Sequence, residues 1–169
     1  MTGIDRYAPL ADEAAAAVQR REAQYPALIE AGKLSADQAA REIRVWRAIA
    51  ADWRWVVALE RVEAAPATLA EKVEALEEST RRAERAMRRA FSAADSSVQE
   101  AWAQDMPMAE MTIRYGDATA TFFTEWERYW CFADLLAWYL RDLPDSDRPG
   151  IAHYVDQQIR RERAGRMAA

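Results

Sequence analysis

Ser35-Ala-Asp-Gln-Ala-Ala-Arg-Glu-Ile-Arg-Val-Trp-Arg-Ala-Ile-Ala-Ala-Asp-Trp-Arg-Trp-Val-Val57 is the stretch that decides the fold class. Ala39, Ile43, Trp46, Ile49, Ala50, Trp53, Val56 and Val57 follow the three- and four-residue rhythm that gathers side chains on one face of an α-helix. Ser35 is a good N-cap acceptor, and Gln38 three residues later completes the pattern of a capping box. No Gly or Pro interrupts the run before Pro66, so a helix is predicted from about Ala36 to Ala65, with Trp55 off its apolar stripe.

Upstream, Gly32 is placed to cap the end of an earlier helix that begins near Pro9 or Leu10. Asp12 and Glu13 fall in its first turn, where the helix dipole favours acids, and Ala14, Val18, Tyr25 and Leu28 form its apolar stripe. Pro26 is expected to kink or break it, because proline removes a donor and crowds the preceding turn. Two helices with so short a connection form an antiparallel αα-hairpin over residues 1–66.

Downstream, Thr68-Leu-Ala-Glu71 is a second capping box. Leu69, Val73, Leu76, Thr80, Ala83 and Met87 make a diluted heptad seam. Glu77–Arg81, Glu78–Arg82 and Glu84–Arg88 are spaced for ion pairs one turn apart. A joint at Ser92–Ser97 and a short helix near Val98–Gln104 follow. Met111-Thr-Ile-Arg-Tyr115 and Ala118-Thr-Ala-Thr-Phe122 then alternate in polarity around Gly116-Asp117, which suits a type II′ turn, so a β-hairpin is expected at about 111–122. Thr124-Glu-Trp-Glu127 reads as a third capping box, opening an almost wholly apolar helix over 125–142. A loop around Pro144 leads to a last helix over about 149–164, ending at Gly165. The expectation is a mainly α protein, a helical bundle built on the 1–66 hairpin, with 67–169 contributing helices and one small β-hairpin to the same domain.

Composition sets the limits. The 169 residues are 51% hydrophobic and 30% charged, with 5 Gly, 6 Pro and 7 Trp. A chain of that length can bury a sizeable core without staples. Cys131 is the single cysteine, so no disulfide forms within the chain, which fits a reducing compartment. The first residues lack the pattern of a signal peptide, and the apolar stretch Tyr129–Leu140 is shorter than the ~20 residues a bilayer requires, so a cytoplasmic location is expected. Net charge is −5, unevenly spread: residues 96–147 hold 3 basic and 10 acidic side chains, residues 148–169 hold 5 and 2.

No residue pattern marks a catalytic centre. His153, the only histidine, lies one turn from Asp156, and Cys131 sits within an aromatic helix; an enzyme using either is the weakest reading, because no activating motif surrounds them. One His and one Cys are too few for a zinc site. There is no Glu-x-x-His, no phosphate-binding glycine loop and no Gly-x-Ser-x-Gly, so no cofactor or metal is expected. The arginines at 81, 82, 85, 88 and 89 are compensated by glutamates on the same helix, whereas Arg160, Arg161, Arg163 and Arg166 form a cluster with little acid and are the candidate nucleic-acid contacts. Trp46, Trp53, Trp126 and Trp130 fall on packing faces. Trp55 and Trp138 lie off them and are the candidate anchors for a partner, together with the acids Glu110, Asp117, Glu125 and Glu127.

Arg20-Arg-Glu-Ala-Gln-Tyr-Pro-Ala-Leu-Ile-Glu-Ala-Gly-Lys-Leu-Ser-Ala-Asp-Gln-Ala-Ala-Arg-Glu-Ile-Arg-Val-Trp-Arg-Ala-Ile49 resembles small helical proteins of proteobacterial phages and prophages. The shared features are the basic pair, Tyr25-Pro26, the Gly32-Lys33 turn, the Ser35 cap and the helix from Ile43 to Ile49. The resemblance covers about a fifth of the chain, implies a mobile-element origin and carries over no catalytic residue. The function expected is therefore non-catalytic protein binding, with inhibition of a host defence complex as one concrete form. A nucleic-acid accessory role through the basic tail is the alternative. The weak heptad and surplus aromatics leave a homodimer open.

Overall fold

The computed structural model describes residues 5–59, 61–141 and 151–168, with the side chains of residues 5, 152 and 153 excepted. A 3₁₀ turn at Asp5–Tyr7 leads into α1 (Ala8–Glu30), followed by α2 (Ala36–Ala58), α3 (Leu69–Ala93), α4 (Ser96–Ala103), α5 (Met108–Tyr115), α6 (Ala120–Leu140) and α7 (Ile151–Ala168). No strand occurs among the described residues.

The N-terminal hairpin forms with its predicted caps. Gly32 adopts φ +69°, and its N–H donates to the Ile29 carbonyl while that of Lys33 reaches Leu28. These paired bonds satisfy carbonyls left over at the end of α1, and the left-handed residue they require is cheapest as glycine. Ser35 Oγ accepts from the Gln38 N–H at 3.1 Å; the Gln38 side chain turns instead to Glu42. Pro26 does not break α1, which runs on to Glu30. Both Pro26 and Glu22, whose carbonyl loses its donor, are on the exposed side, where water can replace the missing bond. Contacts between Tyr25 and Glu42, Glu22 and Arg47, and Tyr7 and Trp53 show the two helices running antiparallel.

α2 stops at Ala58 rather than near Ala65. Leu59 takes φ +57° as a left-handed cap and its N–H donates to the Trp55 carbonyl at 2.8 Å. The chain then returns along α2, where Arg44 Nη1 donates to the Pro66 carbonyl at 2.7 Å. Thr68 and Glu71 make both bonds of the predicted capping box. α3 is fastened to α2 by Arg44–Glu71 at 2.6 Å and Lys72–Asp52 at 2.7 Å; Asp52 also accepts from the Tyr139 hydroxyl at 2.7 Å, tying α6 to the same point. α3 and α6 run antiparallel, with Phe91 meeting Phe122 at one end and Lys72 over the Tyr139 ring at the other.

The β-hairpin expected at 111–122 is absent. α5 occupies 108–115, a short 3₁₀ turn spans Gly116–Thr119, and α6 begins at Ala120. Met108, Met111 and Tyr115 are three and four residues apart and face one apolar cluster; Ile113, which the alternating pattern would bury with them, is 87% exposed. Phe122 and Phe123 are both buried, which a one-faced strand does not allow. Helix wins because it seats Met111 wholly inside the fold, whereas an isolated hairpin is marginal. The capping box at Thr124 is overridden for the same reason, since α6 starts a full turn earlier. α7 likewise passes through Gly165 to Ala168.

Two apolar clusters result. The main one gathers Trp46, Ile49 and Trp53 of α2 with Leu76 of α3, Leu135 of α6, Val155 of α7 and the small residues Ala14 and Ala17 of α1. The second lies where α3 ends and α6 begins, and holds Val98, Ala101, Met111, Phe122 and Phe123. Burying one large aliphatic side chain such as Leu135 contributes roughly 1.5–3 kcal/mol.

Candidate functional site

The predicted site residues fall in several places. Trp55 is half-buried at the edge of the main core, with the Arg61 guanidinium 4.2 Å above its ring. Trp138 is also half-buried. It meets Tyr7 (5.6 Å), Trp53 (6.1 Å) and Tyr154 (5.9 Å), and Arg141 lies 3.8 Å over its ring. This four-ring cluster fastens the N-terminal turn and α7 against α2 and α6, so most of Trp138 serves internal packing. Glu110, paired with Arg114 at 3.0 Å, and Asp117 are exposed near the second core. Glu125 is half-buried and bound to Arg128 at 3.2 Å, whereas Glu127 is exposed on α6. The six candidates do not converge on one surface.

The exposed tryptophan is Trp130, although its spacing one turn after Trp126 predicts a packing face. It is 46% exposed. Its ring continues a chain that starts in the second core: Trp102–Trp126 at 5.7 Å and Trp126–Trp130 at 5.6 Å, with Tyr129 beside it at 6.0 Å. The signal was available, because Trp130 lies three residues after Glu127 and four before Asp134, on the one polar ridge of α6. It borders a groove of about 520 Å³ between the start of α1 and the outer face of α6, walled by Pro9, Leu10, Trp130 and Trp138 and rimmed by Arg6 and Asp134. Arg141 and Tyr7 also line it, so polar groups are interleaved with the rings.

Cys131 opens onto the same groove. Burial first, then the carboxylates of Glu13, Asp134 and Glu127, push its thiol up to about 11, so it stays protonated near neutral pH. The side chain of His153 lies outside the described residues, and Asp156 is exposed. Among the described residues, no group of three or more His, Cys, Asp and Glu side chains is arranged to hold a metal ion. Nor is any described helix long and apolar enough to cross a membrane.

Arg160, Arg161, Arg163 and Arg166 lie on the last turns of α7, exposed on every side from residue 160 onward, with Glu162 3.8 Å from Arg166. At about 100° per residue they are spread around the helix rather than gathered on one face. Comparison with protein-family models, with curated proteins and with solved structures found no match for this chain.

Proposed function

We propose that this is a non-catalytic interaction protein of phage or prophage origin that docks a host protein through the outer face of α6, with a host defence complex as the target class. The observation that carries the reading is Trp130. A half-exposed tryptophan backed by two further indoles is held in place before any partner arrives, so little conformational entropy is lost on docking. Rigid aromatic anchors of this kind dominate protein interfaces, where truncation to alanine costs about 2–4 kcal/mol of binding. Glu127 and Asp134, one turn to either side, favour a partner that brings positive charge to the rim. The phage origin rests on the residue 20–49 resemblance alone.

The test compares the tagged protein with its Trp130→Ala variant in affinity purification from a proteobacterial lysate, with and without nuclease. A stoichiometric protein recovered by the parent and lost from the variant, at unchanged thermal stability, supports the reading. Equal recovery by both removes it. A second reading, nucleic-acid binding, is favoured by the all-round exposure of the arginine-rich end of α7. Recovery that vanishes with nuclease, and on truncation after Ile159, would select that reading.

A further inference from the structure

A second cleft, of about 230 Å³, opens between α1, α3 and α6, on a part of the molecule separate from the Trp130 groove. Its walls carry four guanidinium groups, those of Arg20, Arg21, Arg82 and Arg128, against one lining carboxylate, Glu125. Arg20, Arg82 and Arg128 are each matched by a carboxylate, from Glu13, Glu78 and Glu125 respectively. Arg21 is held differently. Its Nη1 donates to the Ala17 carbonyl at 3.0 Å, its Nη2 to Ser79 Oγ at 3.2 Å, and its guanidinium stacks 4.3 Å from the Trp46 ring.

Two of those guanidinium groups have donors left over. Nε of Arg21 and Nε of Arg128 are both buried without a hydrogen-bond acceptor, although the second lies 3.8 Å from a Glu13 carboxylate oxygen. A buried donor left unmade is costly, and a buried cation more so unless an anion compensates it. Burial accordingly lowers the proton affinity of Arg21 below its ordinary value. The Tyr25 hydroxyl, on the same wall, donates a hydrogen bond to Glu42 and is pushed up to about 12, chiefly by burial, so it adds no negative charge. Ser79 accepts from Arg21 and keeps its own hydroxyl proton free to donate.

We propose that this cleft binds a small phosphate-bearing anion, held by Arg21 and Arg128 with Ser79, and closed over at its rim by Arg20 and Arg82. The guanidinium groups arrive from three helices, hence from different directions. A tetrahedral oxyanion offers acceptors out of a single plane and can meet all of them, which a planar carboxylate cannot. The volume exceeds the ~30 Å³ share of one water several-fold, leaving space for an organic substituent on the phosphate.

Amide NMR of the full chain, titrated at constant ionic strength with inorganic phosphate and separately with phenyl phosphate, tests this. Saturable shifts confined to the surroundings of Arg21, Ser79 and Arg128 are expected. Arg128→Gln should weaken binding roughly tenfold and Arg82→Gln less, in line with loss of one charge-assisted bond. Arg82 is largely exposed, so its variant keeps the fold and remains informative if Arg128→Gln does not. Tighter binding of phenyl phosphate than of inorganic phosphate would identify a monoester as the ligand class, and equal binding the phosphate group alone. Absence of saturable shifts with either probe at millimolar concentration, or affinities unchanged in both variants, would overturn the proposal.

Discussion

The main core and the second core are both rich in aromatic rings, yet they are held together differently. Five long helices, α1, α2, α3, α6 and α7, enclose the first, and each brings apolar side chains to it. The second is closed by the ends of α3 and α6 together with α4 and α5, which have only eight residues each. An isolated helix shorter than about 12–15 residues is marginal in water. α4 and α5 are therefore helical because Val98, Ala101 and Met111 are buried, whereas α2 would favour helix from its own pattern and caps. The difference teaches where local sequence governs conformation and where burial does.

Replacing Trp53 with alanine removes a wholly buried indole from the main core and should cost about 3–5 kcal/mol in denaturant unfolding. Met111→Ala in the second core should cost about 2–5 kcal/mol, toward the lower end, because short helices can settle into the space. The sharper contrast lies in amide exchange: Met111→Ala should accelerate it first over 96–119, while Trp53→Ala accelerates it throughout. Uniform acceleration in both variants would erase the distinction between the cores.

A smaller effect concerns the start of α3. Thr68→Ala should cost about 1 kcal/mol through loss of the cap. The Glu71 carboxyl is held down to about 2, first by Arg44 and then by the Thr68 N–H, below its ordinary 4.5. A depressed carboxylate contributes stability that is complete above about pH 4.5 and is lost as pH falls toward 2. Glu71→Gln should therefore flatten that part of the stability–pH curve, and an unchanged slope would show that the Arg44 pair does not form in solution.

Ile113→Lys should have the smallest effect, within ~0.5 kcal/mol by the same unfolding measurement, with the helical circular dichroism unchanged. A loss well above that would mean Ile113 is covered, as a hairpin would have required.

The sequence was most legible where a helix carried its own signals. Gly32, Ser35 and the Thr68–Glu71 box each mark a helix end that the structure contains, because these residues bond to backbone groups within a few positions of themselves. Gly116 is an instructive half-success. Its φ +52° and ψ −128° are the angles a II′ turn asks of its first central residue, but the turn joins helices instead of strands. Met111, Ile113 and Tyr115 alternate, while Met108, Met111 and Tyr115 follow the helical step, and a run of eight residues fits both periods. The candidate sites were less visible still. The exposure of Trp130 could be inferred from its acidic neighbours on α6, but nothing in the chain announces that Arg20 and Arg21 will meet Arg82 and Arg128 across three helices.

By itself, then, the sequence determined the helical class, the N-terminal hairpin and the caps at the end of α1 and the starts of α2 and α3, all of which depend on interactions between residues near one another in the chain. Tertiary structure alone decided that residues 108–122 are helical, which tryptophan faces solvent and which arginines share a cleft. Those outcomes depend on burial against segments tens of residues away, where the free energy of covering Met111 or Phe122 exceeds any local preference of the residues beside them.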